Sequence, residues 1–121
     1  MSRIGAISLL VHDYDAAIAF YVGKLGFALS EDTDMGAGKR WVRVTPKGGE
    51  TSLLLARATT DAQKAQVGNQ AGGRVWLFLE TDDLMRDHAA WLAAGVHFRE
   101  TPRHETLSLI HISEPTRLRR I

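Results

Sequence analysis

There is no cysteine among the 121 residues, which excludes disulfides, thiolate nucleophiles and cysteine-ligated zinc together. Long apolar runs are missing too. The longest, such as Ile7 to Val11 with Ser8 inside it, fall far short of the roughly 20 residues that a membrane-spanning helix needs. Met1-Ser2-Arg3-Ile4 leads straight into a strand-like stretch without a signal peptide, so a cytoplasmic protein is expected. Charge of one sign is equally scarce, the formal net charge being +1. Residues 107–121 hold Arg117, Arg119 and Arg120 against Glu114 alone, so the remainder sums to −1. Electrostatics therefore give no case for nucleic acid or an anionic membrane as partner. What is present, 45% apolar and 24% charged residues, is the composition and size of one ordinary globular domain.

Ile4 to Val11 reads as a strand buried on both faces. Asp13 or Asp15 caps a helix on which Ala16, Ile18, Ala19, Phe20, Val22 and Leu25 recur at helical spacing, and Gly26 stops it. A short strand over Phe27-Ala28-Leu29 follows, then a polar hairpin loop from Glu31 to Gly38, a half-buried strand over Arg40–Thr45, a turn at Pro46–Gly49 and a strand over Thr51–Ala56. Thr60–Gln66 suits a short polar helix, and Gly68–Gly73 is the most flexible stretch. Beyond it come a strand over Arg74–Glu80, a cap at Thr81-Asp82-Asp83, and a helix from Leu84 to Ala94 with Leu84, His88, Trp91 and Leu92 on one side. Gly95 stops that helix, and Val96–Glu100 opens another strand. Aspartate, helix, glycine and apolar residue thus recur at an offset of about seventy positions, the mark of a duplicated unit.

The motifs Val11-His12-Asp13, Ala17-Ile18-Ala19-Phe20-Tyr21 and Lys24-Leu25-Gly26-Phe27, followed by a second module from Asp83 to Gly95, resemble the glyoxalase/bleomycin-resistance/dioxygenase superfamily, also called vicinal oxygen chelate (VOC) proteins. The resemblance covers about Ile4 to Glu105. It implies an α+β fold of paired βαβββ modules with mixed, curved sheets around a pocket, commonly as a homodimer. Residues 1–106 are then one glyoxalase-like domain, with module one at 1–58, a linker at 59–73 and an incomplete module two at 74–106. The fold hosts isomerases, epimerases, ring-cleaving dioxygenases, thiol transferases and metal-free drug binders, so it does not choose a reaction.

Metal-dependent members of that superfamily commonly place His or Gln seven residues before the aspartate that follows the first strand. Here that position is Ala6, its counterpart before Asp83 is Trp76, and the strand that often brings a glutamate offers Leu54. None of the three has a lone pair for a divalent ion, so neither a metal nor another cofactor is expected. The fourth ligand would stand on a final strand. There, Leu107 to Arg117 instead resembles the translation of a transposase adapter used to build sequencing libraries, and 107–121 is expected to be a non-native tail on a C-terminally truncated second module. Leu107–Ile112 alternates well enough to pair as a substitute strand, and Pro115 and Arg117–Arg120 are expected to stop it.

If Ala6 faces the pocket, alternation sends Ser8 and Leu10 to the same face, and Ile7, Leu9 and Val11 against the helix. With Val42 and Val44 beneath a helix, Trp41 and Arg43 turn to the pocket side; with Trp76 there, so do Phe78 and Glu80. The candidate ligand-binding residues are Ser8, Trp41, Arg43, Trp76 and Phe78, an aromatic lining with few polar groups. Trp41 and Trp76 could equally be core or dimer-interface residues, and Arg43 a solvated rim charge. No catalytic residue stands out, since no two of the five histidines have the i, i+4 spacing of a zincin motif. Two readings follow: a metal-independent protein of the bleomycin-resistance type that sequesters a flat or amphipathic small molecule, or a metal-dependent lyase or isomerase of the glyoxalase type.

Overall fold

The structure, a computed structural model of the chain, describes residues 1–98, 109–114 and 117–120, and the chain divides into two compact units, Met1–Val67 and Gly68–Ile121. In the first, β1 (Ala6–Val11) leads into α1 (Tyr14–Ile18). The chain takes no turn after Ile18, because Ala19–Lys24 continues the helix with wider π-type hydrogen bonds, as in the 3.0 Å bond from the Leu25 N–H to the Phe20 carbonyl. Of the two candidate caps Asp13 serves, its Oδ2 accepting the Ala16 N–H at 2.7 Å. Gly26, with φ +78°, reverses the chain so that the Phe27 N–H reaches the Tyr21 carbonyl at 2.9 Å.

Three strands follow: β2 (Ala28–Gly36), β3 (Lys39–Thr45) and β4 (Ser52–Arg57). They form a curved, open sheet ordered β1-β4-β3-β2, with β1 parallel to β4 and the other pairs antiparallel. The expected polar loop over Glu31–Gly38 is mostly strand. β2 ends the sheet, and such a strand keeps polar side chains on both faces because no core covers it. Its charges are matched across the ladder, with Asp34 opposite Arg40 and Glu31 opposite Arg43. The loop shrinks to Ala37-Gly38, both with positive φ (54° and 77°), the backbone of a two-residue hairpin.

α1 lies against β3 and β4. Leu9, Val11, Val42, Val44, Leu53 and Leu55 from the sheet are buried with Tyr14, Ala17, Phe20 and Tyr21 from the helix. Period-two alternation thus buries one face of β1, β3 and β4, as expected for Leu9, Val11, Val42 and Val44. Thr60 caps α2 (Asp61–Gln66), its side chain accepting the Gln63 N–H at 3.1 Å.

The second unit contains β5 (Leu77–Glu80), α3 (Leu84–Ala93), β6 (His97–Phe98), β7 (Leu109–Glu114) and β8 (Arg117–Arg120). β5 is shorter than the expected Arg74–Glu80, and Arg99 and Glu100 lie outside the described residues. Asp83 caps α3, accepting the Arg86 N–H at 3.0 Å. Trp91 is buried, but Leu92, expected beside it, is 52% exposed. It lies one position past the stripe formed by the half-buried Leu84, Asp87 and His88 with Trp91.

The second sheet is ordered β5-β7-β8-β6. Where the sequence predicts a sheet short of its last hairpin, four strands are paired. β7 runs antiparallel to β5, with Leu77 opposite Ile112, and β8 bridges β7 to β6. β7 does end ahead of Pro115, which cannot donate to a ladder. Arg117–Arg120, expected only to stop that strand, forms the return strand.

Candidate functional site

The face of the first sheet turned away from α1 carries Ser8, Trp41 and Arg43 together. One row of the ladder runs across all four strands: Ser8 pairs with Leu54, Leu54 with Arg43, and Arg43 with Glu31. Trp41 stands two residues along β3 on the same face, opposite Thr33, and is 39% exposed although its neighbour Val42 is wholly buried. Trp76 and Phe78 belong to the second unit. Trp76 is half-buried just ahead of β5, and Phe78, two residues on, is 58% exposed.

Arg43 is held from beneath. Its Nε donates to Ser52 Oγ at 2.8 Å, and that hydroxyl donates in turn to the Gly5 carbonyl at 3.3 Å. Ser52 is fully buried, so this relay satisfies a group that would otherwise be costly and fixes the guanidinium plane. Glu31 Oε1 lies 3.9 Å from Arg43 Nη1, an ion pair too long for a hydrogen bond. The Arg43 carbonyl accepts from Ser30 Oγ at 3.1 Å. Sequence reasoning missed Ser52 and Glu31. The available signal for Ser52 was its parity with Leu54, and for Glu31 it was hidden by reading β2 as a loop.

A second arginine, Arg40, lies on the opposite face. Its Nε and Nη2 donate to Asp32 at 3.1 and 2.7 Å and its Nη1 to Asp15 at 2.9 Å. It also sits 5.3 Å from the centre of the Tyr14 ring. These bonds hold the Asp32 carboxyl below, and the Arg40 guanidinium above, their ordinary ranges. A cleft of about 450 Å³ opens here, lined by Asp32, Asp34, Gly36, Ala37, Gly38 and Arg40. Its cation is already saturated by carboxylates, and it does not include Trp41 or Arg43.

The positions at which metal-dependent relatives place ligands can be judged on their donors. In the first sheet, Ala6 pairs with Ser52, and Leu54 sits between Ser8 and Arg43. Neither supplies a lone pair, and the guanidinium beside Leu54 opposes a cation. Among the described residues no three His, Asp or Glu side chains come together in a group that could hold a metal ion. These residues do not fit a divalent ion.

A model of the Glyoxalase/Bleomycin resistance protein/Dioxygenase superfamily matches residues 3–117. The chain belongs to that superfamily. An uncharacterized protein of Shewanella frigidimarina (strain NCIMB 400) is 48% identical over 110 residues, covering 89% of this chain and 82% of that protein. Among solved structures of the fold, UcmS2 superposes with a TM-score of 0.78 at 22% identity, covering 98% of this chain and 96% of that one. TnmS3, an antibiotic binding protein from Streptomyces sp. CB03234, gives a TM-score of 0.66 at 28% identity, covering 98% and 93%. Among the described residues, no helix of this VOC chain is long and apolar enough to cross a membrane.

Proposed function

We propose that this VOC protein binds or sequesters a small molecule without a metal, the exposed face of Trp41 supplying the apolar contact and Ser8 and Arg43 the polar ones. The observation that carries this reading is Trp41, a large ring 39% exposed on a strand whose next residue is wholly buried. An indole held on rigid sheet offers a flat ligand contact area at little conformational cost. The donor-poor positions Ala6 and Leu54 support binding over metal-assisted chemistry, and the antibiotic binding relative supports the ligand class. Trp76 and Phe78, which belong to the second unit, are proposed as ligand contacts of that unit.

A panel of planar aromatic compounds, followed by tryptophan fluorescence before and after chelation with EDTA, tests this. Binding by at least one compound, unchanged by EDTA and weakened about tenfold in Trp41→Ala (about 1.4 kcal/mol), is the expected result. Binding that needs one equivalent of a divalent ion would overturn it in favour of the glyoxalase-type lyase or isomerase.

A further inference from the structure

We infer that the ligand of this face carries a carboxylate, or another planar delocalised anion, beside a flat ring, and that Arg43 receives the anion while Trp41 receives the ring. The inference rests on the small-molecule reading above and adds the charge of the ligand.

It comes from the contrast between the two arginines of β3. Arg40 has every nitrogen of its guanidinium bonded to a carboxylate, Nε and Nη2 to Asp32 and Nη1 to Asp15, so three of its five N–H donors are used and its single charge is already met by two carboxylates. Arg43 has only Nε engaged, by the Ser52 hydroxyl. Among the described residues its Nη atoms make no hydrogen bond, and the nearest carboxylate oxygen, on Glu31, stands at 3.9 Å. Four N–H donors of a fixed fork are therefore available. The side chain is only 33% exposed, so the guanidinium is partly stripped of water, and a charge-assisted, two-pronged bond to an anion is the interaction that best restores what it has lost. A lysine there could not match that geometry.

Ser52 is then a positioning residue. It touches no ligand, but it holds the guanidinium through Nε and leaves both Nη atoms without a hydrogen bond among the described residues. Glu31 is a competitor. Its carboxylate partly neutralises Arg43 in the free protein and must be outdone by the anion that binds.

Naphthalene-2-carboxylate and naphthalene-2-carboxamide, the same ring with and without the charge, test this on the full chain. Quenching is followed in the wild type and in Trp41→Phe, which separates Trp41 from Trp76 and Trp91. The carboxylate is expected to bind at least roughly tenfold tighter than the amide. Arg43→Gln abolishes that preference, Arg43→Lys keeps part of it, and Ser52→Ala lowers carboxylate affinity while leaving the amide unchanged, which a merely structural serine would not do. Glu31→Gln keeps Arg43 in place and tightens the carboxylate alone, a result that does not depend on whether Arg43→Gln folds. Equal Trp41-dependent binding of both compounds would overturn the anion assignment and leave the small-molecule reading standing. Quenching of Trp41 by neither would overturn both.

Discussion

Between Val11 and Phe27 in the first unit, and again between Glu80 and Val96 in the second, the chain builds the same device. An aspartate caps the helix, Asp13 onto the Ala16 N–H and Asp83 onto the Arg86 N–H. A glycine of positive φ ends it, Gly26 and Gly95. The next residue closes onto a buried aromatic residue, the Phe27 N–H onto the Tyr21 carbonyl and the Val96 N–H onto the Trp91 carbonyl, each at 2.9 Å. The sheets beside these helices differ. β1 has a parallel neighbour in β4, whereas β5 has an antiparallel one in β7. The cap, the glycine stop and the closing bond are specified by residues a few positions apart and recur, although the first helix carries a π-type stretch over Ala19–Lys24 where the second is α-helical. The sheet depends on which distant segment arrives beside the first strand, and there the halves part.

Ending the chain after Thr106 breaks the comparison most severely. It removes β7 and β8, strips β5 and β6 of the partners they have among the described residues, and exposes rows of backbone N–H and C=O groups. The amides of Leu77–Glu80 are expected to lose all hydrogen-exchange protection, a change on the order of 5 kcal/mol in opening free energy, and the product to aggregate. The amides of Leu53–Leu55 stay protected. If Leu77–Glu80 kept their protection, pairing with Leu109–Ile112 would not be what holds that strand.

The two buried aromatics at matching positions sharpen it next. Trp91 fills its site, and Trp91→Phe is expected to cost about 1–2 kcal/mol through the space it leaves. Tyr21 is wholly buried, its ring meeting Phe20 edge-on at 5.0 Å and Phe27 at 5.7 Å. Its hydroxyl, though, has no hydrogen-bond partner among the described residues, and burial raises its pKa. Tyr21→Phe should therefore raise stability by about 1 kcal/mol, because an unsatisfied polar group is removed at constant ring packing. Chemical denaturation of both variants checks the opposite signs. A loss in Tyr21→Phe would show that the hydroxyl has a partner.

The caps make a smaller and more even test. Asp13→Ala and Asp83→Ala are each expected to cost about 1 kcal/mol in thermal or urea melts; unequal costs beyond a factor of two would mean the duplication is only apparent. These caps were legible in the sequence because aspartate before an apolar helical stripe, with glycine after it, is a local signal. So was the face of β1 and β3 on which Ser8, Trp41 and Arg43 stand, once Leu9, Val11, Val42 and Val44 are set against the helix and alternation places the rest. The length of β2 was not legible. Glu31-Asp32-Thr33-Asp34 has the composition of a loop, and only its place at the end of the sheet, opposite Arg40 and Arg43, makes strand the better state for it. Ser52 escaped for a related reason: a serine opening an apolar strand looks solvated until the guanidinium above it is placed.

Acid supplies the last and smallest distinction between the halves. Arg40 depresses the pKa of Asp32 by hydrogen bonding, and Arg86 does the same to Asp82. A carboxyl whose folded pKa lies below its ordinary value of 3.8 stabilises the fold fully above that value and loses its contribution as the pH falls through the lower, folded one. Both pairs therefore weaken only in acid, and neither alters stability around neutrality. They differ in what they tie together. Arg40 joins β2, β3 and the first turn of α1 through Asp32 and Asp15, whereas the Arg86–Asp82 pair at 2.8 Å spans only four residues at the start of α3, an exposed geometry of little worth. Between about pH 5 and about pH 3, Asp32→Asn should flatten the fall in melting temperature visibly and Asp82→Asn hardly at all. Equal flattening in the two variants would mean that the three-element contact around Arg40 contributes no more than a solvated helix pair.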